Sequence, residues 1–244
     1  MSYQRMASDS PVARASCTQC HLPELCLPRS LPCGELLELA DIALVSSPIQ
    51  RGGIIFKSNS PFRAIYAIRS GMVKQYYECS DGQQKILGFY LPGEMLGFDG
   101  IAKGRHQYSA ATLETTTICE LNYEELKWVC SRTERLDERF HCLMSQEISK
   151  ENESLLLLKS KTAEQRLAIF LNSLSCRYKQ LGYSANEFKL SMSRAEIGSY
   201  LGLTIETVSR LFSRMQREGL IESHHHTLRI LDPTHLHALC SEQC

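Results

Sequence analysis

The 244-residue sequence has no long hydrophobic run, its most conspicuous apolar stretch being Leu155 to Leu158. A membrane-crossing helix needs about 20 mostly apolar residues, so no span is expected. The first sixteen residues are polar and mixed and lack the apolar centre of an export leader, which makes a reducing cytoplasm the expected compartment. An excess of one charge is also missing. Twenty-seven Lys and Arg balance 27 Asp and Glu, so no overall field draws the chain onto polyanions and any nucleic-acid site must be local. The tail carries no C-x3-C-x2-C run of the kind used for radical chemistry, and no acid and base stand at catalytic spacing, which argues against an enzyme. Beyond Asn122 proline is absent until Pro233, which leaves room for long helices.

Cysteine is plentiful. Of eleven, Cys17, Cys20 and Cys26 crowd the segment CTQCHLPELC, and Cys119 follows about ninety residues later. Thiolates two residues apart can grip one metal-bearing unit through a tight turn, and Pro23 and Pro28 oppose helix formation around them. Residues 1–32 therefore read as a ligand-bearing segment. An odd cysteine count and the missing leader disfavour disulfides. Spacing alone leaves zinc and an iron-sulfur cluster both open.

From about Cys33 to Asn122 the stretches IIFK, AIYAIRSG, MVKQYY, KILGFYLPG and TICELN are separated by glycines at turn intervals, which predicts a small all-β barrel or sandwich within residues 33–132. A long helix is expected directly after Asn122, with its dimerising part over 133–160. Within it Met144, Ile148, Leu155 and Leu158 repeat at alternating steps of four and three, with Glu151 in the remaining seam position. That is coiled-coil spacing, although a helix packed on its own domain gives the same pattern. In a symmetric seam Glu151 meets its own mate, so the dimer is expected to be marginal and switchable.

Residues 161–244 read as a DNA-binding domain. A helix spans about Thr162 to Gln180, and a short strand spans Phe188 to Met192. In SRAE, Ser193 and Glu196 form a capping box, Gly202 permits a sharp turn, Thr204 caps the next helix and Gly219 ends it. Two helices across a glycine turn make a helix-turn-helix. In the second, Val208, Leu211, Phe212 and Met215 mark the buried face, while Glu206, Ser209 and Arg210 project together from the end that enters a major groove. Arginine can bond guanine O6 and N7, and a glutamate can accept from cytosine N4. Arg214 and Arg217 suit phosphate contacts. SHHHTLRIL reads as a hairpin wing turning at His224 to His226, in preference to a metal site.

The string IGSYLGLTIETVSRLF, the cysteine spacing and the segments AIRSGMVK and LPGEMLGFDG together resemble the FNR branch of the CRP/FNR superfamily of bacterial transcription regulators, over nearly the whole chain. The resemblance implies an α+β fold: a cyclic-nucleotide-binding-like β-roll, a long dimerisation helix and a winged helix-turn-helix. It also implies an oxygen-labile 4Fe-4S cluster held by Cys17, Cys20, Cys26 and Cys119, and half-sites like TTGAT in an inverted repeat of double-stranded DNA read by Glu206, Ser209 and Arg210. A homodimer governed by Glu151, and contact with RNA polymerase, follow from the same resemblance. Cys33, close enough to compete as a ligand, and His21, where relatives carry a small or polar residue, depart from the pattern without removing a ligand. Cys79, Cys130, Cys142, Cys176, Cys240 and Cys244 fit no ligand spacing. Cyclic-nucleotide receptors of the superfamily hold ribose with a glutamate and phosphate with an arginine; the corresponding positions here are Phe98 and Tyr108, and Arg105 would need a shifted loop. A zinc regulator of the same fold is the other alternative.

Overall fold

The computed structural model describes residues 13–20, 22, 26–29 and 31–241. His21, Pro23 and Cys244 lie outside them. The chain divides into two compact units, with the main boundary inside one helix between Met144 and Ser145; the short stretch Gln84–Ile86 at the start of one strand is grouped with the second unit.

The first unit is built on two antiparallel sheets. One joins β1 (Ala13–Arg14), β2 (Ala43–Val45), β4 (Ala64–Ser70), β7 (Met95–Leu96) and β9 (Thr117–Asn122) in the order β1-β2-β9-β4-β7. The other joins β3 (Ile54–Phe56), β5 (Val73–Glu78), β6 (Gln84–Tyr90) and β8 (Ser109–Thr112) in the order β3-β8-β5-β6. Phe56, Ile68, Val73, Tyr90, Leu96 and Ala110 form one hydrophobic cluster of this roll. Strand side chains alternate between faces, so on β9 Cys119 shares a face with Leu121 and opposes Ile118. Leu121 belongs to a second cluster with Ile65, Ala67 and residues of three helices, α1 (Cys33–Ile42), α2 (Tyr123–Cys130) and α3 (Glu134–Ser160). Cys119 packs against this second core, which the helices cover.

Two expectations are corrected. Cys33–Ile42 is a helix, not part of the all-β region. Leu39 is buried and Leu36 packs against the same core, one turn apart along the inner face. The helix expected after Asn122 is two helices. Asn122 caps α2 by accepting from the amides of Glu124 and Glu125, and α2 ends where the Thr133 hydroxyl donates to the Val129 carbonyl at 2.7 Å. Leu136 and Phe140 then bury the start of α3.

In the second unit α4 (Ala163–Gln180) starts from a reciprocal capping box between Thr162 and Gln165. The strand expected over 188–192 is shorter, β10 at Glu187–Lys189, and joins β11 (Ile221–His224) and β12 (Thr227–Ile230) in the order β10-β12-β11. Helices α5 (Arg194–Leu201) and α6 (Ile205–Arg217) form the helix-turn-helix, and α7 (Pro233–Ser241), which the sequence reading did not anticipate, packs on α4. Both halves of the Ser193–Glu196 capping box are present. The turn depends on two glycines: Gly202 ends α5 at φ +65°, and a Cβ on Gly198 would lie 2.7 Å from the Leu203 carbonyl oxygen.

Candidate metal centre and nucleic-acid interface

Cys17 begins a single 3-10 turn, Cys20 follows it in extended conformation, and Cys26 leads into Leu27, which is fully buried. Cys119 lies centrally in the larger sheet, opposite Val45 on β2 and Ala67 on β4. Cys17, Cys26 and Cys119 pack against the same core. Burial, opposed by a hydrogen bond from the Leu27 backbone and helped by the neighbouring Cys119, Cys17 and Cys20, pushes the Cys26 thiol up to about 12. Burial also lifts Cys119 to about 11, with contributions from Cys17 and Cys20, while Arg69 opposes the rise. Cys17 is raised by burial and then by Cys20, again opposed by Arg69. Each of the four thiols thus lies in the electrostatic neighbourhood of others of the set. Among the described residues, no three Cys, His, Asp or Glu side chains approach closely enough to share one metal ion. Arg69 was missed in the sequence because AIRS reads simply as strand. Cys33 is exposed at the first position of α1. Cys130 is buried, Cys142 and Cys176 are exposed, and Cys79 and Cys240 are half-buried.

Helix α3 meets this centre directly. Leu136 and Phe140 belong to the core that receives Leu27 and Leu31, and Arg139 Nη2 donates to the Cys26 carbonyl at 3.4 Å. Of the five seam positions, the structure separates the ends from the middle. Met144 packs against the core of the first unit. Leu158 is half-buried against Gly202, where an added Cβ would come within 3.3 Å of its Cδ2. Ile148 is 61% and Leu155 53% exposed, with exposed Glu151 between them. Leu156, 65% exposed, widens the apolar stripe. It was missed because it stands one residue off the seam.

On α6, Val208, Phe212 and Met215 are buried and Leu211 half-buried, leaving Glu206, Ser209 and Arg210 exposed on the other face. Thr204 caps the helix by accepting from the Thr207 amide at 3.3 Å. The Glu206 carboxyl is held below its ordinary range by its own backbone amide, then by the Thr204 hydroxyl and Arg210. It is therefore ionised and an acceptor only, as a contact to an amino group requires. Arg210 Nη2 donates to Thr207 Oγ1 at 3.4 Å. Arg214 is paired with Glu218 at 2.9 Å and Glu164 at 3.2 Å, so a phosphate would have to displace carboxylates. Arg217 is exposed. The wing is the β11–β12 hairpin, whose turn places His225 at φ +53°, and His224 Nε2 lies 3.1 Å from a Glu222 carboxylate oxygen.

Beside Tyr108 the roll carries an acidic side chain. The Asp99 carboxylate accepts from the amides of Gln107 at 2.7 Å and Tyr108 at 3.2 Å and lies 3.3 Å from Nδ1 of His106. His106, 2% exposed, stacks on Phe56 with ring centroids 3.9 Å apart. Arg105 donates to the Asn59 carbonyl at 2.6 Å.

Known proteins match both halves of the chain. The cyclic nucleotide-binding domain family matches residues 47–133, and the Crp-like helix-turn-helix domain family matches residues 165–239. The transcriptional activator protein Anr of Pseudomonas protegens is 42% identical over 226 residues, covering 93% of each chain. The fumarate and nitrate reduction regulatory protein of Shigella dysenteriae is 42% identical over 84% of this chain and 82% of its own. The solved structure of FixK2 from Bradyrhizobium japonicum superposes with a TM-score of 0.75 at 27% identity, covering 83% of this chain and all of that one. These relatives are regulators, and the chain is not an enzyme. A roll followed by a long helix and a winged helix-turn-helix, matched at this identity over nearly the full length, places the chain in the FNR branch of the CRP/FNR superfamily of bacterial transcription regulators.

Proposed function

We propose that this chain is an oxygen-responsive, cytoplasmic transcription regulator that holds a 4Fe-4S cluster on Cys17, Cys20, Cys26 and Cys119. With the cluster intact it forms a homodimer, binds an inverted repeat of TTGAT-like half-sites and contacts RNA polymerase to control anaerobic genes. The observation that carries the reading is the packing of three of these cysteines into the same core as the first turns of α3. The donor set fits the cofactor: four thiols are soft ligands suited to zinc or an iron-sulfur cluster. The same thiols would also suit zinc, so metal analysis separates the two.

Bound there, the cluster supplies an oxygen-sensitive tether between the N-terminal segment and β9. The remaining steps belong to the chain. Unligated Cys26 and Cys119, lifted to about 12 and 11, hold their protons at neutral pH, so holding the cluster would require their loss and release of the ligands would restore neutral thiols. Leu27 and Leu31 bear on Leu136 and Phe140, and Arg139 touches the Cys26 carbonyl. Displacement of the segment therefore alters the support of α3, whose exposed Ile148 and Leu155 would form the dimer seam around Glu151. In the dimer two copies of α6 would stand about one DNA turn apart, with Glu206, Ser209 and Arg210 reading base edges and Arg217 on phosphate.

The Asp99 carboxylate on the Gln107 and Tyr108 amides argues against a cyclic-nucleotide ligand, since the phosphate would meet a carboxylate and no arginine. Anaerobic purification, with visible spectra before and after air and with iron and zinc analysis, tests the proposal. The expected result is a coloured, iron-loaded protein that bleaches in air. A colourless zinc protein would refute it.

A further inference from the structure

Arg194 opens α5 in a position unfavourable on two counts. A cation in the first turn faces the positive end of the helix dipole, and burial lowers the pKa of this guanidinium from its ordinary value. Two contacts outside α5 compensate. The guanidinium carbon stands 3.4 Å from the Phe212 ring centroid, and Nη2 donates to Ser223 Oγ at 3.0 Å. Phe212 is 3% exposed on the buried face of α6. Ser223 lies on β11, and its amide donates to Gln216 Oε1 of α6 at 2.9 Å. One side chain thus joins the first helix, the recognition helix and the wing.

We propose that Arg194 is a positioning residue that fixes α6 and the wing against α5, so that Glu206, Ser209 and Arg210 arrive at the base edges in register. Its guanidinium face lies on an aromatic ring and one amine is bonded to the wing, so the half-buried group is held by the domain itself. A phosphate-binding arginine instead offers its fork to solvent. Cation-π stacking strengthens as the pair loses water, and here a half-buried guanidinium lies on a buried ring. The arrangement is complete in the free protein, so the reading head is oriented before DNA arrives.

The test uses the full-length, anaerobically loaded protein, a duplex carrying an inverted TTGAT repeat and an unrelated duplex, each titrated across salt concentrations. Arg194→Met should weaken binding to the repeat about tenfold, leave the unrelated duplex unaffected and leave the salt slope unchanged. Arg194→Lys should recover part of the loss. A slope reduced by about one, with both duplexes weakened equally, marks a phosphate contact and overturns the proposal; so does undiminished discrimination. Should Arg194→Met fail to fold, Phe212→Leu keeps the site apolar, removes the ring face and must show the same loss of discrimination. The DNA test rests on the half-site assignment. If the wild type itself does not discriminate, that assignment fails, and hydrogen exchange at the Ser223 amide decides for Arg194: faster exchange in Arg194→Met upholds its role and unchanged exchange refutes it.

Discussion

Replacing Ile148 by Ala measures what the exposed stripe of α3 contributes to the dimer. Full burial of an isoleucine side chain stabilises by about 1.5–3 kcal/mol. Ile148 is 61% exposed in the single chain, so a seam that covers it gains about 1–2 kcal/mol per protomer. Truncation to Ala removes most of that, about 1 kcal/mol, and a symmetric dimer loses it twice. The dimer dissociation constant should therefore rise about 30-fold. Folding of the protomer should hardly change, because the site is solvent-exposed and Ala is the better helix former. Sedimentation equilibrium of the anaerobic, cluster-loaded protein gives the constant directly, and the visible spectrum reports whether the centre is intact. A variant that dimerises within about threefold of wild type with a normal spectrum would place the dimer contact elsewhere. A lost chromophore would mean that Ile148 supports the metal centre instead.

Four further outcomes are expected. Glu151→Ala should leave dimers in air, and sedimentation showing only monomer for that variant would remove Glu151 from the switch. Cys20→Ser or Cys119→Ser should abolish the iron chromophore; full cluster in either variant after anaerobic purification would refute the ligand set. Arg210→Ala should reduce the preference for the TTGAT repeat over an unrelated duplex while Arg217→Ala weakens both and lowers the salt slope by about one, with equal salt slopes counting against the division of labour. In the cluster-free protein, burial raises Cys26 from 9.0 to about 12. The folded state then binds that proton more tightly than the unfolded chain. The resulting stability is present below pH 9 and is lost as pH rises toward 12. Melting temperature should fall over that window and fall less for Cys26→Ser; indistinguishable profiles would show that Cys26 is not the group responsible.

Local signals carried the helix-turn-helix into view. Ser193 with Glu196, Gly202, and Thr204 are all short-range devices, and each forms the contact its residue type suggests. The same holds for Thr162 with Gln165. What stayed hidden depends on distant packing. CGELLELADI contains no proline, and its single glycine, Gly34, does not separate helix from strand; Leu39 joins Leu126 and Leu136 in the core once the helix has formed. The break between α2 and α3 has neither proline nor glycine; it follows from Thr133 closing the helix that Asn122 starts while Leu136 and Phe140 anchor the next. The seam was legible as a period, but the period could not separate Ile148 and Leu155 from Met144 and Leu158. The latter pair packs within each protomer because Gly202 leaves room for Leu158 and the core receives Met144. In the metal centre, sequence spacing carried the thiols but neither Arg69 nor Arg139, since long charged side chains on a strand and a helix resemble any solvated face.

These two contributions to α3 differ in size in a way that suits a switch. Ile148 and Leu155, 61% and 53% exposed, together offer about 2–3 kcal/mol per protomer on burial and about 3–7 kcal/mol in a dimer. Association itself costs about 4–15 kcal/mol in lost translational and rotational freedom, so the proposed seam alone would hold a dimer marginally, and facing Glu151 carboxylates would weaken it further. Moving such an equilibrium from 1:99 to 99:1 takes about 5.5 kcal/mol. Leu27 and Leu31, 0% and 8% exposed when docked, would each forfeit up to about 1.5–3 kcal/mol on leaving the core, in both protomers. Docking of the ligand segment is thus large enough to decide an association that the seam leaves undecided. A stronger seam would hold the dimer whatever the state of the thiols, and a weaker one would never form it. On the proposed switch, the carboxylate at 151 would set the association between those limits, and its removal should uncouple dimerisation from oxygen without touching the cysteine ligands.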